Sequence, residues 1–289
     1  AVLLLVAACS ESGESTATTE PAIPTTALEA GPSTSTPADE TSTTSKTSTT
    51  TATAAPTPQP GGIVVIPDDQ EPVTLNPFVP DGDAFITTIV GQAHLAGAFD
   101  IDALSRELIP ELVVELPTGS NGGVVIDDDG TMTVKWQIRD EAVWSDGTSI
   151  SGDDFAFTVD YQTATAECWD EDADWAPEPF ALNGRIESVD DKTIAIRFDQ
   201  PGFQYEEMFK WIVPKHAVQG TDFCNDWNDT PWPAAGPFIV NEWERGDHIT
   251  LVRNPNYWKA DPDTGQPLPY LDEVEIRFIW ETDGIVRAF

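Results

Sequence analysis

GPFIVNEWERGDHITLVRNPNYW, residues Gly236–Trp258, is the stretch that decides how this chain is read, and LPYLDEVEIRFI at Leu268–Ile279 follows it closely. Pro237–Val240 and His248–Val252 are apolar and β-branched, and Glu244–Asp247 between them has the composition of a hairpin turn. Asn254-Pro255-Asn256 ends the second strand, because proline has no N–H to give to a ladder and forces its predecessor extended. The Leu268–Ile279 segment then reads as a third strand. Nothing in the stretch has the spacing of a catalytic motif, so it is expected to be structural.

The 289 residues carry 14 Lys and Arg against 50 Asp and Glu, a net charge of −36. So few cations exclude a phosphate-backbone surface, and a nucleic-acid partner is not expected. Residues 1–9, AVLLLVAAC, form an apolar run too short to cross a bilayer, a task that takes roughly 20 residues. They fit the core of a secretion signal entered part-way along, and Cys9 stands where a bacterial lipobox places its lipidated cysteine. Residues 10–60 are Ser, Thr, Pro and Ala with almost no large apolar side chain, so a disordered tether is expected there. In an oxidising compartment Cys168 and Cys224 suggest a disulfide, stabilising by roughly 4 kcal/mol in the chain-entropy account, with two free buried thiols as the alternative. No CxxC occurs, and His94, His216 and His248 do not pair at ligand spacing, so neither a metal nor another cofactor is expected.

From Gly61 onward the pattern is globular. Ile63–Ile66 reads as a buried strand, 84–98 as a helix weakened by Gly91 and Gly97, and 108–116 as irregular chain. Hairpins are expected about Asp127–Gly130 and Asp190-Asp191. The acidic Asp127–Gly130 turn fails as a calcium loop: counting back from Gly130, the first and closing ligand positions are Val125 and Trp136. Ser151 is a natural N-cap, with Asp153 and Asp154 in the first turn of a helix whose one face holds Phe155 and Val159 and whose neighbouring face holds Phe157. A further helix is expected over Tyr205–Trp211.

Six segments in a fixed order then accumulate: TLNPF (74–78), VWSDGTSISGDDFAFTVDY (143–161), VDDKTIAIRF (189–198), IVPKHAV (212–218), AAGPFIVNEWERGDHITLVRNPNYW (234–258) and LPYLDEVEIRF (268–278). Together they resemble the family 5 extracytoplasmic solute-binding proteins, the peptide- and nickel-type binding lipoproteins of ATP-binding-cassette importers. The resemblance implies an α/β, two-lobed periplasmic-binding-protein fold of the second class, with only its N-terminal half present. It implies a signal and lipidation cysteine at 1–9, a linker at 10–60, and the start of the first lobe at 61–100. A small α/β domain would be inserted at 101–230, and the chain would return into the first lobe at 231–289. One departure is Ala235, where the family usually has Thr or Asn, at the expense of a local hydrogen bond.

What the resemblance implies for function is capture without chemistry: lobes closing on a peptide or related small solute, which is delivered to permease subunits outside the cytoplasm from a lipid anchor. The ligand-contacting loop implied is Val79, Pro80, Asp81, Gly82 and Asp83. The residues fixing ligand termini would lie in the half not present. Two other readings stand beside it: a sensor on the same scaffold, and an exported carboxylate hydrolase, for which no GxSxG, HExxH or P-loop context is found. An isolated half is expected to leave apolar surface and strand edges exposed.

Overall fold

The computed structural model describes residues 58–82, 84–163, 184–202 and 204–279. Strand β1 (Ile63–Asp68) is followed by the Thr74–Gly82 loop and helix α1 (Phe85–His94). Two short strands, β2 (Phe99–Ile101) and β3 (Leu108–Pro110), pair antiparallel, where irregular chain was expected over 108–116. The hairpin of β4 (Val124–Ile126) and β5 (Met132–Gln137) turns through Gly130, whose φ of 85° only glycine adopts without strain. Helix α2 (Gly152–Thr163) precedes a second hairpin, β6 (Arg185–Asp190) and β7 (Thr193–Phe198). A four-residue helix α3 (Lys215–Val218) leads on towards β8 (Phe238–Glu244), β9 (His248–Arg253) and β10 (Glu273–Phe278).

The described strands form two four-stranded sheets and the β2-β3 pair. One sheet, β4-β5-β7-β6, sets two local hairpins side by side, β5 against β7, with α2 against it. The other, β1-β10-β9-β8, joins the two ends of the described chain: β8, β9 and β10 are antiparallel neighbours, and β1 pairs parallel to β10, Ile63 beside Glu273. The expected buried strand at Ile63–Ile66 is therefore an edge strand, with Ile63 62% and Val65 46% exposed. An apolar run of four cannot report which strand will lie beside it.

Three apolar clusters hold these parts. Ile86 and Val90 of α1 pack on Ile249, Leu251, Val274 and Ile276 of the mixed sheet. The β4-β5-β7-β6 sheet packs Trp136, Ile194, Ile196 and Phe198 against Phe155 and Val159 of α2. Phe157, on the neighbouring face of α2, enters a third cluster with Phe78, Phe223 and Trp232. The two faces of α2 read from the sequence are thus divided between two cores.

The helix expected over Tyr205–Trp211 is a single 3-10 turn, Gln204–Glu207. Phe209 has φ 63°, which no right-handed helix passes through. Its ring is held edge-on by Trp136 at 5.2 Å and Phe155 at 4.9 Å, and that burial offsets the backbone strain. The same residue's carbonyl accepts the Ala98 N–H at 2.7 Å, drawing the two backbones together at Gly97.

The start of α2 is more elaborate than a cap. Asp154 is buried; one carboxylate oxygen accepts the Ser151 N–H at 3.0 Å, and the other accepts the Lys215 N–H at 2.9 Å. The first bond is half of a capping box. The second ties α2 to α3 across 61 residues of sequence, so Asp154 joins elements as well as capping one.

Candidate functional site

The loop after β1 is built by its own side chains. Asn76 is fully buried: its Oδ1 accepts the Phe78 N–H at 3.0 Å and its Nδ2 donates to the Phe223 carbonyl at 3.0 Å. Thr74 Oγ1 accepts the Asn76 N–H at 3.0 Å and donates to Asn228 Oδ1 at 2.9 Å. These are the self-bonding turns that Thr and Asn favour. They carry Phe78 between Trp232, ring centroids 5.7 Å apart, and Phe223 at 6.2 Å.

Of the five loop residues singled out from the sequence, Val79 is buried in that aromatic cluster. Gly82 is buried too, and a Cβ there would lie 2.2 Å from the Asn76 carbonyl oxygen, so no larger residue fits. Pro80 and Asp81 form the exposed tip, Asp81 in the left-handed region at φ 68°. Asp83 lies outside the described residues, as do Cys9 and Cys168.

A cavity of about 460 Å³ opens on the other side of Leu95 and Trp211, two residues shared between its wall and the cluster behind the loop. Gln92, Asp100, Arg106, Lys210 and Tyr257 line it, and none of Val79–Gly82 does. Its deepest charge is Glu111, 5% exposed. The Tyr257 hydroxyl donates to Glu111 Oε1 at 3.2 Å, and the Lys259 ammonium pairs with Oε2. Burial first, and the Glu111 charge second, push the Tyr257 phenol well above its ordinary pKa, so it stays a donor. Sequence reading missed this triad: NPNYWK looked like a strand exit, and its partner lies 148 residues upstream.

Behind both features sits His94, the last residue of α1, 2% exposed. Its Nε2 lies 2.9 Å from the Trp232 carbonyl and its Nδ1 3.3 Å from the Val240 N–H. That pattern is satisfied by the neutral ring with the proton on Nε2, donating to the carbonyl while Nδ1 accepts. Burial lowers the pKa from 6.5 to about 4, partly opposed by backbone hydrogen bonding to Trp232 and Phe238. Between those values the unfolded chain binds the proton more readily, so the contribution is full above pH 6.5 and is lost as pH falls towards 4. About 3 kcal/mol should disappear over that window. His94→Gln should remove this part of the slope when the two proteins' unfolding free energies are compared from pH 7 to 4; equal slopes would refute the assignment.

Other polar clusters have structural explanations. Asp127 and Asp129 of the acidic turn face Arg197 at 3.5 and 3.1 Å. Among the described residues one group brings three metal-ligand types together, Glu244, Asp247 and His248 at the β8–β9 turn, where His248 Nδ1 is already 2.6 Å from Asp247. Cys224 is disulfide-bonded. Ala235 is buried in the core against the β4-β5-β7-β6 sheet, which accounts for an apolar residue there. Asn254, 2% exposed, donates to the Gly236 carbonyl at 2.9 Å and so closes the base of the β8–β9 hairpin.

The family model described as bacterial extracellular solute-binding proteins, family 5, middle region, matches residues 109–289. The chain is 26% identical over 220 residues to the oligopeptide-binding protein OppA of Mycobacterium tuberculosis H37Rv, covering 68% of this chain and 35% of that protein. The fold matches the periplasmic EDTA-binding protein EppA with TM-score 0.64 and 23% identity, over 81% of this chain and 42% of that one. It also matches an oligopeptide-binding protein from Thermus thermophilus, solved with a pentapeptide, with TM-score 0.63 and 22% identity, over 78% of this chain and 42% of that one. The chain thus spans 35% of the curated relative's length and 42% of each solved structure's. Among the described residues no helix is long and apolar enough to cross a membrane.

Proposed function

The chain belongs to the bacterial extracellular solute-binding proteins of family 5, and from that premise we propose that it is part of the receptor of an ATP-binding-cassette importer that captures peptides and hands them to a permease. The observation that carries the reading is the family match over 109–289, joined to the oligopeptide-binding names of the relatives in both sequence and fold. A binding role needs no reacting groups. It needs a rigid loop platform, and the Thr74–Gly82 loop, self-bonded and pinned by Phe78, is suited to that. Within it the exposed tip, Pro80 and Asp81, is the part offered to ligand, while Val79 and Gly82 hold it in place and Asp83 continues it.

The same reading gives the remaining parts their roles. Cys9 carries the lipid anchor and residues 10–60 tether the head outside the cytoplasm. The mixed sheet with α1 belongs to the first lobe, and the segment 101–230 is the inserted domain. Cys168 is the partner of Cys224.

Titration calorimetry of the full-length protein against peptide pools and an oligosaccharide panel tests the proposal. Saturable binding of peptides is expected, weakened several-fold by Asp81→Asn, which removes the charge yet tolerates the left-handed backbone, with unchanged melting. Silence with every peptide pool would sink the peptide reading. Mass mapping of the same preparation, unreduced, should find a 168–224 linked pair and a lipid-modified Cys9.

A further inference from the structure

The 460 Å³ cavity has no part in the reading above. Pro237, just before β8, and Tyr257, just past β9, reach it at one end of the mixed sheet. The candidate loop leaves β1 at the other end, after Asp68. The charges on the cavity wall do not cancel. Glu111 is already answered by the Lys259 ammonium and the Tyr257 hydroxyl. That leaves Asp100, whose Oδ1 accepts the Ile101 N–H at 2.8 Å, against two cations, Arg106 and Lys210. A positive excess runs against the field of a chain whose net charge is −36. Despite that surplus of acids, the Arg106 guanidinium has no ion-pair or hydrogen-bond partner among the described residues.

We propose that this cavity is a second binding site, for a small organic monocarboxylate with an aromatic or branched apolar body. Arg106 takes the carboxylate in its planar fork, with the Lys210 ammonium on the same wall. Leu95, Phe99 and Trp211, all buried, supply the apolar walls for the body, and walls that exclude water strengthen the ion pair. Both cations are held in place. The Lys210 ammonium lies 4.6 Å from the centre of the Trp211 ring. Arg106 sits in a tight turn between β2 and β3: Asp102 Oδ1 accepts the Leu104 and Ser105 N–H groups at 3.0 and 2.7 Å, and the Asp102 carbonyl accepts the Arg106 N–H at 2.9 Å. That turn keeps Arg106 at φ 64°, a conformation costly for a residue with a Cβ. Asp100 on the same wall disfavours a second negative charge, which selects a monoanion over a phosphate or a dicarboxylate.

This inference does not use the peptide reading, and its test contains no peptide, so the two fail independently. The probe is para-fluorophenylacetate, titrated into the full-length protein and followed by its fluorine NMR signal, with para-fluorophenylacetamide as the uncharged control. Saturable binding of the acid at millimolar concentration or below is expected, with the amide about tenfold weaker for want of the charge-assisted pair. Arg106→Asn removes the cation and suits the left-handed backbone, and should weaken the acid by about the same factor while leaving the amide and the melting temperature unchanged. Acid binding unchanged in Arg106→Asn places the probe elsewhere on the protein and overturns the proposal. Equal affinity for acid and amide overturns it too, as does the lack of any saturation. The acid-against-amide comparison on the unsubstituted protein keeps the test valid if the Asn variant fails to fold.

Discussion

Gly97→Ala is expected to destabilise the protein by at least about 3 kcal/mol, the top of the usual range for overpacking. A Cβ at Gly97 would lie 1.9 Å from the Phe209 carbonyl oxygen and 2.3 Å from that of Lys210. Both obstacles are backbone, so no side-chain rotation relieves them. Moving them apart breaks the Ala98 to Phe209 bond of 2.7 Å and strains the Ile212 to Ala96 bond of 3.1 Å. It also shifts Phe209, whose ring is wedged between Trp136 and Phe155. Urea unfolding of the full-length protein measures the effect. A loss below about 1 kcal/mol would mean the two strands of chain separate freely, contrary to this packing.

Lys259→Met is expected to cost about 3 kcal/mol, the lower end for breaking a buried ion pair. Glu111 is the reason: its side chain is 6% exposed, and among the described residues its charge without the ammonium keeps only the Tyr257 hydroxyl. The Lys259 side chain is itself 26% exposed, which moderates the loss. Adding Glu111→Gln should restore stability to within about 1 kcal/mol of the starting protein, because a neutral amide has no charge to strand. A double-mutant cycle by thermal unfolding reads the coupling. If the two single losses simply add, the pair is not the unit described here. Glu111 and Tyr257 also line the 460 Å³ cavity, so the single variant should loosen that wall while the double should not.

Much of the secondary structure was legible because it is written locally. DDDG, VDDK and ERGD each lie between short apolar runs, and all three became hairpin turns joining antiparallel strands. Ser151 to Phe157 announced a helix with two apolar faces, and α2 divides those faces between two cores. The candidate loop was legible in part: Thr74 and Asn76 are turn formers, but that Val79 and Gly82 would be buried and Pro80 and Asp81 exposed depends on Phe223 and Trp232. The 3-10 turn at Gln204–Glu207 misled because helix propensity cannot foresee a left-handed Phe209 fixed by two distant rings.

By itself, then, the sequence determined the local elements, the acidic character and the family, since each rests on residues close together or on an ordered set of motifs. Only the tertiary structure decided that β1 is an edge strand beside β10, that His94 is held neutral between Trp232 and Val240, and that Glu111 is answered by Lys259. The reason is physical. A turn or a helix cap is satisfied within a few residues, whereas a parallel strand, a buried imidazole or a buried carboxylate takes its partner from wherever the chain returns. In this protein the return is the Gly236–Trp258 hairpin and the strand after it. That stretch brings Val240 to His94 and Tyr257 to Glu111, and Lys259 just past it pairs with the same carboxylate.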